Sequence, residues 1–372
     1  MKVKRVMIIF LSIIGFLVIS IFLVLKLNPA FGGKADSSQI ESFEKLSHFE
    51  SGEFKNQTKT EMDMGFSKGL KIMKMFIFED NGRKPIKELP QKTLDINQFV
   101  NSKDKNLFIW TGHSTILLNL KGKIIFIDPM LSNSPSPVAA FGTKRFNSNL
   151  PFDINDIPKI DLVLITHDHY DHLDMKSIEM IKDKTEKFLI PLAVKPHLKR
   201  WGVDDNKISE FDWWQNYSTE DIEFTFAPAR HFSGRGTSNR NSTLWGSWII
   251  ETKEVKIFHS GDSGYGNHFK EINNKYGNFD FAFIECGQYN ENWAAIHMAP
   301  EQSVQAALDL EADFMMPIHW GAFTLGLHPW NEPAIRSHNH AYKLNQNIIS
   351  PIIGEIVEIP VKSQLKNNWW TD

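Results

Sequence analysis

The chain has 372 residues, 42% hydrophobic and 12% aromatic, and a formal net charge of −3. This composition describes a globular chain able to bury a large core, in one large domain or two ordinary ones. The charge balance argues against the broad basic surface of a nucleic-acid-binding protein, and the single cysteine, Cys286, excludes an intrachain disulfide and any zinc site built from cysteines.

The chain opens with MKVKR and then an uncharged apolar run over residues 6–25, long enough to span a bilayer. The run is longer than the apolar core of a cleavable signal, and no cysteine follows it to carry a lipoprotein anchor. Residues 1–29 therefore read as an uncleaved single-pass anchor, with a cleaved signal as the alternative. Lys2, Lys4 and Arg5 outweigh Lys26 and Lys34, which places the amino terminus in the cytoplasm and the main domain across the membrane. Residues 30–105 are polar and irregular and read as a tether, a short helix and extended pieces wrapping the main domain.

From residue 106 the pattern changes to short apolar runs separated by turns. NLFIW, STILLNL and KIIFIDP read as successive strands, and KIDLVLITH as a fourth, followed by a helix at MKSIEMIKDK. Further strands are expected at DIEFTFAPAR, LWGSWIIET, EVKIFHSGD, FDFAFIECG, DFMMPIHWG and GEIVEIP. Helices are expected at GNHFKEINNKYG, APEQSVQAALDLE and in the stretch after HWG. Two runs of strands, each followed by helices, fit two packed sheets with helices outside, an α+β architecture of four layers (αββα). Patterning alone does not separate it from other α+β folds.

The fourth strand ends in THDHYDHLD, residues 166–174, which crowds three histidines and three aspartates into nine positions. In an extended segment His167 and His169 point the same way, whereas on a helix they would diverge. Asp171 and His172 follow after a turn and can face a second position. His231, Asp262 and His319 fall at the ends of later strands, each beside a turn-former. Together these groups exceed the needs of one tetrahedral zinc, so two ions are the natural count.

The run 166–174 resembles the HxHxDH motif of the metallo-β-lactamase superfamily, and the later His, Asp and His follow in the order that superfamily uses. More closely, the chain resembles its N-acylphosphatidylethanolamine-hydrolysing phospholipase D group. That resemblance covers roughly residues 106 to 345 through DPMLSNSPSP…GTKRF, LITHDHYDHLD, FDWWQN, LWGSW, SGDSGYG, HMAPEQSV and PIHWGAF. It implies a metallo-β-lactamase αββα sandwich as the hydrolase domain over residues 106–372, behind the N-terminal membrane-spanning segment. It assigns His167, His169 and His231 to one metal, Asp171, His172 and His319 to the other, and Asp262 to a bridge between them. His297, in AAIHMAPEQ, is implied to face the substrate phosphate and counts with Asp171 among the catalytic residues.

Two divalent ions, zinc first with iron or manganese as alternatives, would share a water and hold it as hydroxide at neutral pH. The implied reaction is phospholipase-D-type hydrolysis of N-acylphosphatidylethanolamine-like lipids at the membrane, releasing phosphatidic acid and an N-acylethanolamine. A lactonase or other ester hydrolase of the same fold is the alternative, and a non-catalytic binding protein a minor one. Among the remaining polar groups, His113 and His259 read as supporting or packed residues, and Asp168 and Asp174 as supporting or turn residues. His197, His338 and His340 read as solvated helix histidines, and Lys144 and Arg145 as a solvated basic turn. Oligomeric state is not legible.

Overall fold

The apolar runs pair into two seven-stranded sheets, seen in a computed structural model that describes residues 2–61, 65–79, 81–140, 142–363 and 368–371. Phe141, which opens the FGTKRF stretch, lies outside the described residues. Ahead of the sheets come α1 (Lys2–Leu27), α2 (Ser37–Phe43), the hairpin β1 (Phe49–Glu50) and β2 (Glu53–Phe54), α3 (Phe66–Phe78) and α4 (Ile96–Val100). Within α1, Lys4–Leu27 is long and apolar enough to cross a membrane, with a mean hydropathy of 3.2.

The first sheet is built from β3 (Asn106–Trp110), β4 (Ile116–Leu120), β5 (Lys123–Ile127), β6 (Ile160–Leu164), β7 (Thr185–Pro191) and β8 (Ile208–Phe211). The second holds β9 (Asn216–Ser218), β10 (Ile222–Ala227), β11 (Ser247–Thr252), β12 (Lys256–His259), β13 (Phe279–Glu285), β14 (Ala312–Ile318) and β15 (Asn347–Ile348). The chain then returns to the first sheet as β16 (Ile356–Ile359), antiparallel to β3. Each sheet is antiparallel in one half and parallel in the other, from β5 to β8 and from β12 to β15.

Period-two alternation decides what each strand faces. Phe108 and Trp110 of β3, with Ile125 and Ile127 of β5, enter the core between the sheets, while Leu107, Ile109, Ile124 and Phe126 face the other way. The sheets meet through ring contacts such as Phe108 with Phe281, centroids 5.2 Å apart. The outer face of the first sheet packs on α5 (Met175–Ile181) and α6 (Lys195–Arg200). That of the second packs on α7 (His268–Tyr276), α8 (Pro300–Asp309) and α9 (Glu332–Leu344). Three cores thus separate four layers. Because both faces of the central strands are covered, they read as near-continuous apolar runs rather than alternating ones.

Where the expected anchor segment meets the expected tether, the chain leaving α1 is held against the domain. Asn28 Nδ2 donates to the Pro137 carbonyl (2.7 Å), Trp201 Nε1 to that of Pro29 (2.7 Å), and buried Arg235 to that of Ala30 through Nε and Nη2 (3.0 and 2.9 Å). The helix α3 in the same stretch was not expected.

Candidate metal centre

The metal-binding candidates leave the ends of β6, β10, β12 and β14, so four strand ends converge on one point. Asp128, just after β5, holds the 166–174 loop: its carboxylate accepts from Thr166 N (2.8 Å) and Thr166 Oγ1 (2.6 Å), and lies 2.7 Å from His172 Nδ1. Asp174 closes the loop by capping α5, accepting from Ser177 N and Oγ at 2.9 and 2.6 Å. At the far side β13 exits past His319 so closely that a Cβ at Gly287 would sit 1.9 Å from the His319 carbonyl oxygen.

The donor atoms of His167, His169, His231 and Asp262 all lie within 4.8 Å of one another, and so do those of His113, Asp171, His172 and His319. In the first cluster His169 Nδ1 is 2.9 Å from His167 Nε2 and 3.2 Å from His231 Nε2. Asp262 joins the two clusters. Its Oδ2 is 3.7 and 3.8 Å from His167 and His231, and its Oδ1 is 3.1 Å from both His172 Nε2 and His319 Nδ1. The structure therefore brings together all seven residues singled out in the sequence. It adds His113, whose Nε2 is 2.7 Å from Asp171 Oδ2.

Divalent-cation binding fits these residues. His172 Nε2 and Asp262 Oδ1 approach closely without hydrogen-bond geometry and have no other hydrogen-bond partner, the arrangement expected of two ligands aimed at a common centre rather than at each other. Burial, reinforced by neighbouring imidazoles, holds His167, His231 and His319 well below the usual imidazole range, and burial brings His169 down to about 4. Neutral imidazoles are what a metal requires. Burial pushes the Asp262 carboxyl up to about 6. It opposes charge on Asp171 and His172 too, but there the neighbours win: His172 and His113 hold Asp171 well below the carboxylate range, and Asp262, Asp171 and Asp128 raise His172. Acidic groups around neutral nitrogens create a demand for positive charge at the centre.

Beside the clusters, His297 turns Nδ1 to the fully buried carboxyl of Glu285, which also accepts from Ser263 N (3.4 Å) and Met298 N (3.2 Å). Burial raises the Glu285 carboxyl well above its usual range and lowers His297. The metal candidates open on a cleft of ≈ 270 Å³ lined by His169, Asp171, Asp262, His297 and His319, and also by apolar Phe232, Trp293, Ile296 and Leu325.

Sequence reasoning missed Asp128, Glu285 and Arg235. Asp128 and Glu285 carried a readable signal, an acid at the end of a buried apolar run; Arg235 carried none. Three expectations need correction. His197 is not solvated: it is buried, accepts from Gly33 N (2.9 Å) and lies 3.4 Å from Asp168. His338 is not free in solvent either, since it packs against the Trp370 ring, centroids 4.4 Å apart, and lies 3.0 Å from Ser350 Oγ. Arg145 donates to the carbonyls of Thr111, Met130 and Ser132 and covers the Phe323 ring, so it ties loops together while Lys144 stays exposed. His113, His259, Asp168 and Asp174 are buried supports. His328 accepts from Gln288 N and stacks on Tyr289.

A family model described as "Beta-lactamase superfamily domain" matches residues 123–320. An uncharacterized protein of Mycobacterium bovis is 38% identical over 265 residues, 70% of each chain. The N-acyl-phosphatidylethanolamine-hydrolyzing phospholipase D 1 of Caenorhabditis elegans is 31% identical over 229 residues, 58% of this chain and 64% of that one. Among solved structures, an isothiocyanate hydrolase from Delia radicum gut bacteria superposes with a TM-score of 0.53 at 18% identity, covering 68% of this chain and 98% of the other. The matched region holds every residue of both histidine and aspartate clusters except His113, and the chain belongs to the metallo-β-lactamase superfamily, a family of metal-dependent hydrolases.

Proposed function

We propose that the protein is a binuclear metal-dependent phosphodiesterase of phospholipase D type, acting on N-acylphosphatidylethanolamine-like phospholipids. In this reading α1 anchors it in a membrane with the catalytic domain outside the cytoplasm. One metal would be held by His167, His169 and His231 and the other by Asp171, His172 and His319, with Asp262 available to both; zinc suits this donor set, and iron or manganese would also fit. The observation that carries the reading is the cleft itself: convergent donors and His297, backed by the buried Glu285, share one opening with Phe232, Trp293, Ile296 and Leu325. Such a wall suits the acyl-bearing part of a lipid better than a small polar lactone. The 31% identity to the Caenorhabditis elegans phospholipase D supports the same substrate class.

Bound there, a pair of divalent cations would supply an activated water at neutral pH and would polarise a phosphoryl oxygen. His297 does the rest of the polar work. With Nδ1 engaged by Glu285, its other nitrogen is left for the cleft. Whether the shared proton sits on the carboxyl or on Nδ1, the protonated pair presents an Nε2–H to the substrate, where it can hydrogen-bond a phosphoryl oxygen or protonate the leaving alkoxide. Glu285 orients the ring, and the apolar lining excludes bulk water from the reacting bond.

The test is mass spectrometry of products after the full-length chain, loaded with zinc, meets N-acylphosphatidylethanolamine in mixed micelles. Phosphatidic acid with N-acylethanolamine is expected. Intact lipid from protein shown to contain two metals per chain overturns the substrate assignment.

A further inference from the structure

Helix α3 is apolar on two sides. Ile72 turns inward and is 8% exposed, whereas Leu70, Met73 and Ile77 recur at helical spacing on the outer side at 46%, 52% and 64% exposure, and Phe78 reaches 74%. Lys71 and Lys74 stand exposed on the same helix, which has no acidic residue. Beyond the following turn the composition repeats, with Ile86 fully exposed between exposed Lys84 and Lys87. An apolar stripe bordered by lysines is the pattern of a helix that lies in a membrane interface.

Its position ties it to the cleft. Ile72 and Met75 wall a crevice with Asn290, Asn292 and Ala294. Thr324 Oγ1 donates to the Arg83 carbonyl (2.9 Å) and Trp330 N to that of Gly82 (3.0 Å). These two loops also carry Trp293 and Leu325 of the metal cleft. On another border of the cleft, the chain leaving α1 is fastened beside the 166–174 loop: Arg235 bonds both Ala30 and Leu173 (2.7 Å to the latter), and Phe31 meets Tyr170 edge-on, centroids 6.4 Å apart.

From this placement we propose that α3 docks on the surface of an anionic bilayer and sets the mouth of the metal cleft at headgroup level. The inference rests on α1 being a membrane anchor. A bilayer is the occupant the chemistry selects, since the exposed stripe of α3 is apolar with lysines beside it and the helix itself carries no acid, Glu79 and Glu88 lying beyond its end. The anchor also supplies that bilayer within the same molecule, at high effective concentration.

The experiment uses the full-length chain in phosphatidylglycerol–phosphatidylcholine nanodiscs, with an environment-sensitive fluorophore attached through Ile77→Cys. Native Cys286 is buried, so labelling is confined to the introduced thiol. A second protein carries the fluorophore through Tyr342→Cys, on α9, where the native side chain is 86% exposed. Headgroup-depth spin-labelled lipid should quench the first probe at least about twofold more than the second, and Lys71→Glu with Lys74→Glu should remove the excess. Equal quenching at both sites, or none in chains that co-elute with nanodiscs, overturns the docking. A chain that does not enter nanodiscs at all overturns the anchor and the docking together. Hydrolysis is not read, so the result is independent of which bond the enzyme cleaves.

Discussion

Asp128 lies 2.7 Å from Nδ1 of His172, and this contact decides which face of the imidazole meets the metal cluster. A carboxylate that takes the Nδ1 proton leaves the Nε2 lone pair free, and Nε2 is the atom 3.1 Å from Asp262 Oδ1. Carboxylate partners of this kind fix both tautomer and ring orientation. Asp128 also holds the backbone and hydroxyl of Thr166, one residue before His167, so it braces both clusters. Asp128→Asn is expected to weaken metal binding about 10- to 100-fold. Competition against a chromogenic zinc chelator reads the change directly, and unaltered affinity would show that the contact is merely structural.

Glu285 and His297 make a separable prediction, because neither is assigned to hold a metal. Glu285→Gln keeps the size of the side chain but removes the charge-assisted partner of Nδ1. We expect turnover to fall by roughly 10²-fold with both metals retained, and His297→Ala to fall by a similar or larger factor. Metal content by plasma mass spectrometry, measured beside turnover, separates the roles. Loss of metal in either variant would place the pair among the ligands instead.

How much of this was readable beforehand follows from burial. The strands β3 to β6 announce themselves because both faces are covered, which leaves each with at most one polar residue to interrupt the run. The HxHxDH loop is legible because ligands concentrate where one strand ends. By contrast β8 is a short edge of the same sheet, β7 opens on the polar residues Thr185, Glu186 and Lys187, and α6, with the sequence KPHLKR, offers almost no apolar periodicity. His197 in that helix looks like a surface residue until the fold brings Gly33 and Asp168 to it. Contacts across 164 residues of chain, such as Gly33 with His197, leave no local trace. The apolar stripe of α3 is illegible for the opposite reason, since it faces away from the core.

Arg235 is the clearest long-range tie, 2% exposed, with its guanidinium donating to the carbonyls of Ala30, Asp168 and Leu173. The ring of Tyr170 lies 4.0 Å from the guanidinium, covering it. Arg235→Met fills similar volume but leaves these buried carbonyls without their donor. A loss of about 3 kcal/mol in unfolding free energy is expected, together with weaker metal binding through the displaced 166–174 loop. Denaturant unfolding of the metal-free protein isolates the first effect. A variant as stable as the parent would mean that water replaces the guanidinium at all three carbonyls.

The pH dependence of stability should carry the signature of His268. This side chain is buried, lies 3.0 Å from Ser263 Oγ through Nε2, and is brought down to about 3 by burial with a smaller push from Arg230. Above the ordinary imidazole value, near 6.5, the folded and unfolded chains both hold this group neutral, and its contribution is fully present. As the pH falls below that value, the unfolded chain takes up a proton that the folded chain refuses until about 3. Stability is therefore lost on acidification, by up to ~1.4 kcal/mol per pH unit from this group. His268→Gln, which cannot titrate, should flatten the profile by that amount between about pH 6 and about pH 4. Guanidinium unfolding of the metal-free parent and variant across that interval provides the measurement. Parallel profiles would show that His268 takes up its proton as readily in the folded chain as in the unfolded one.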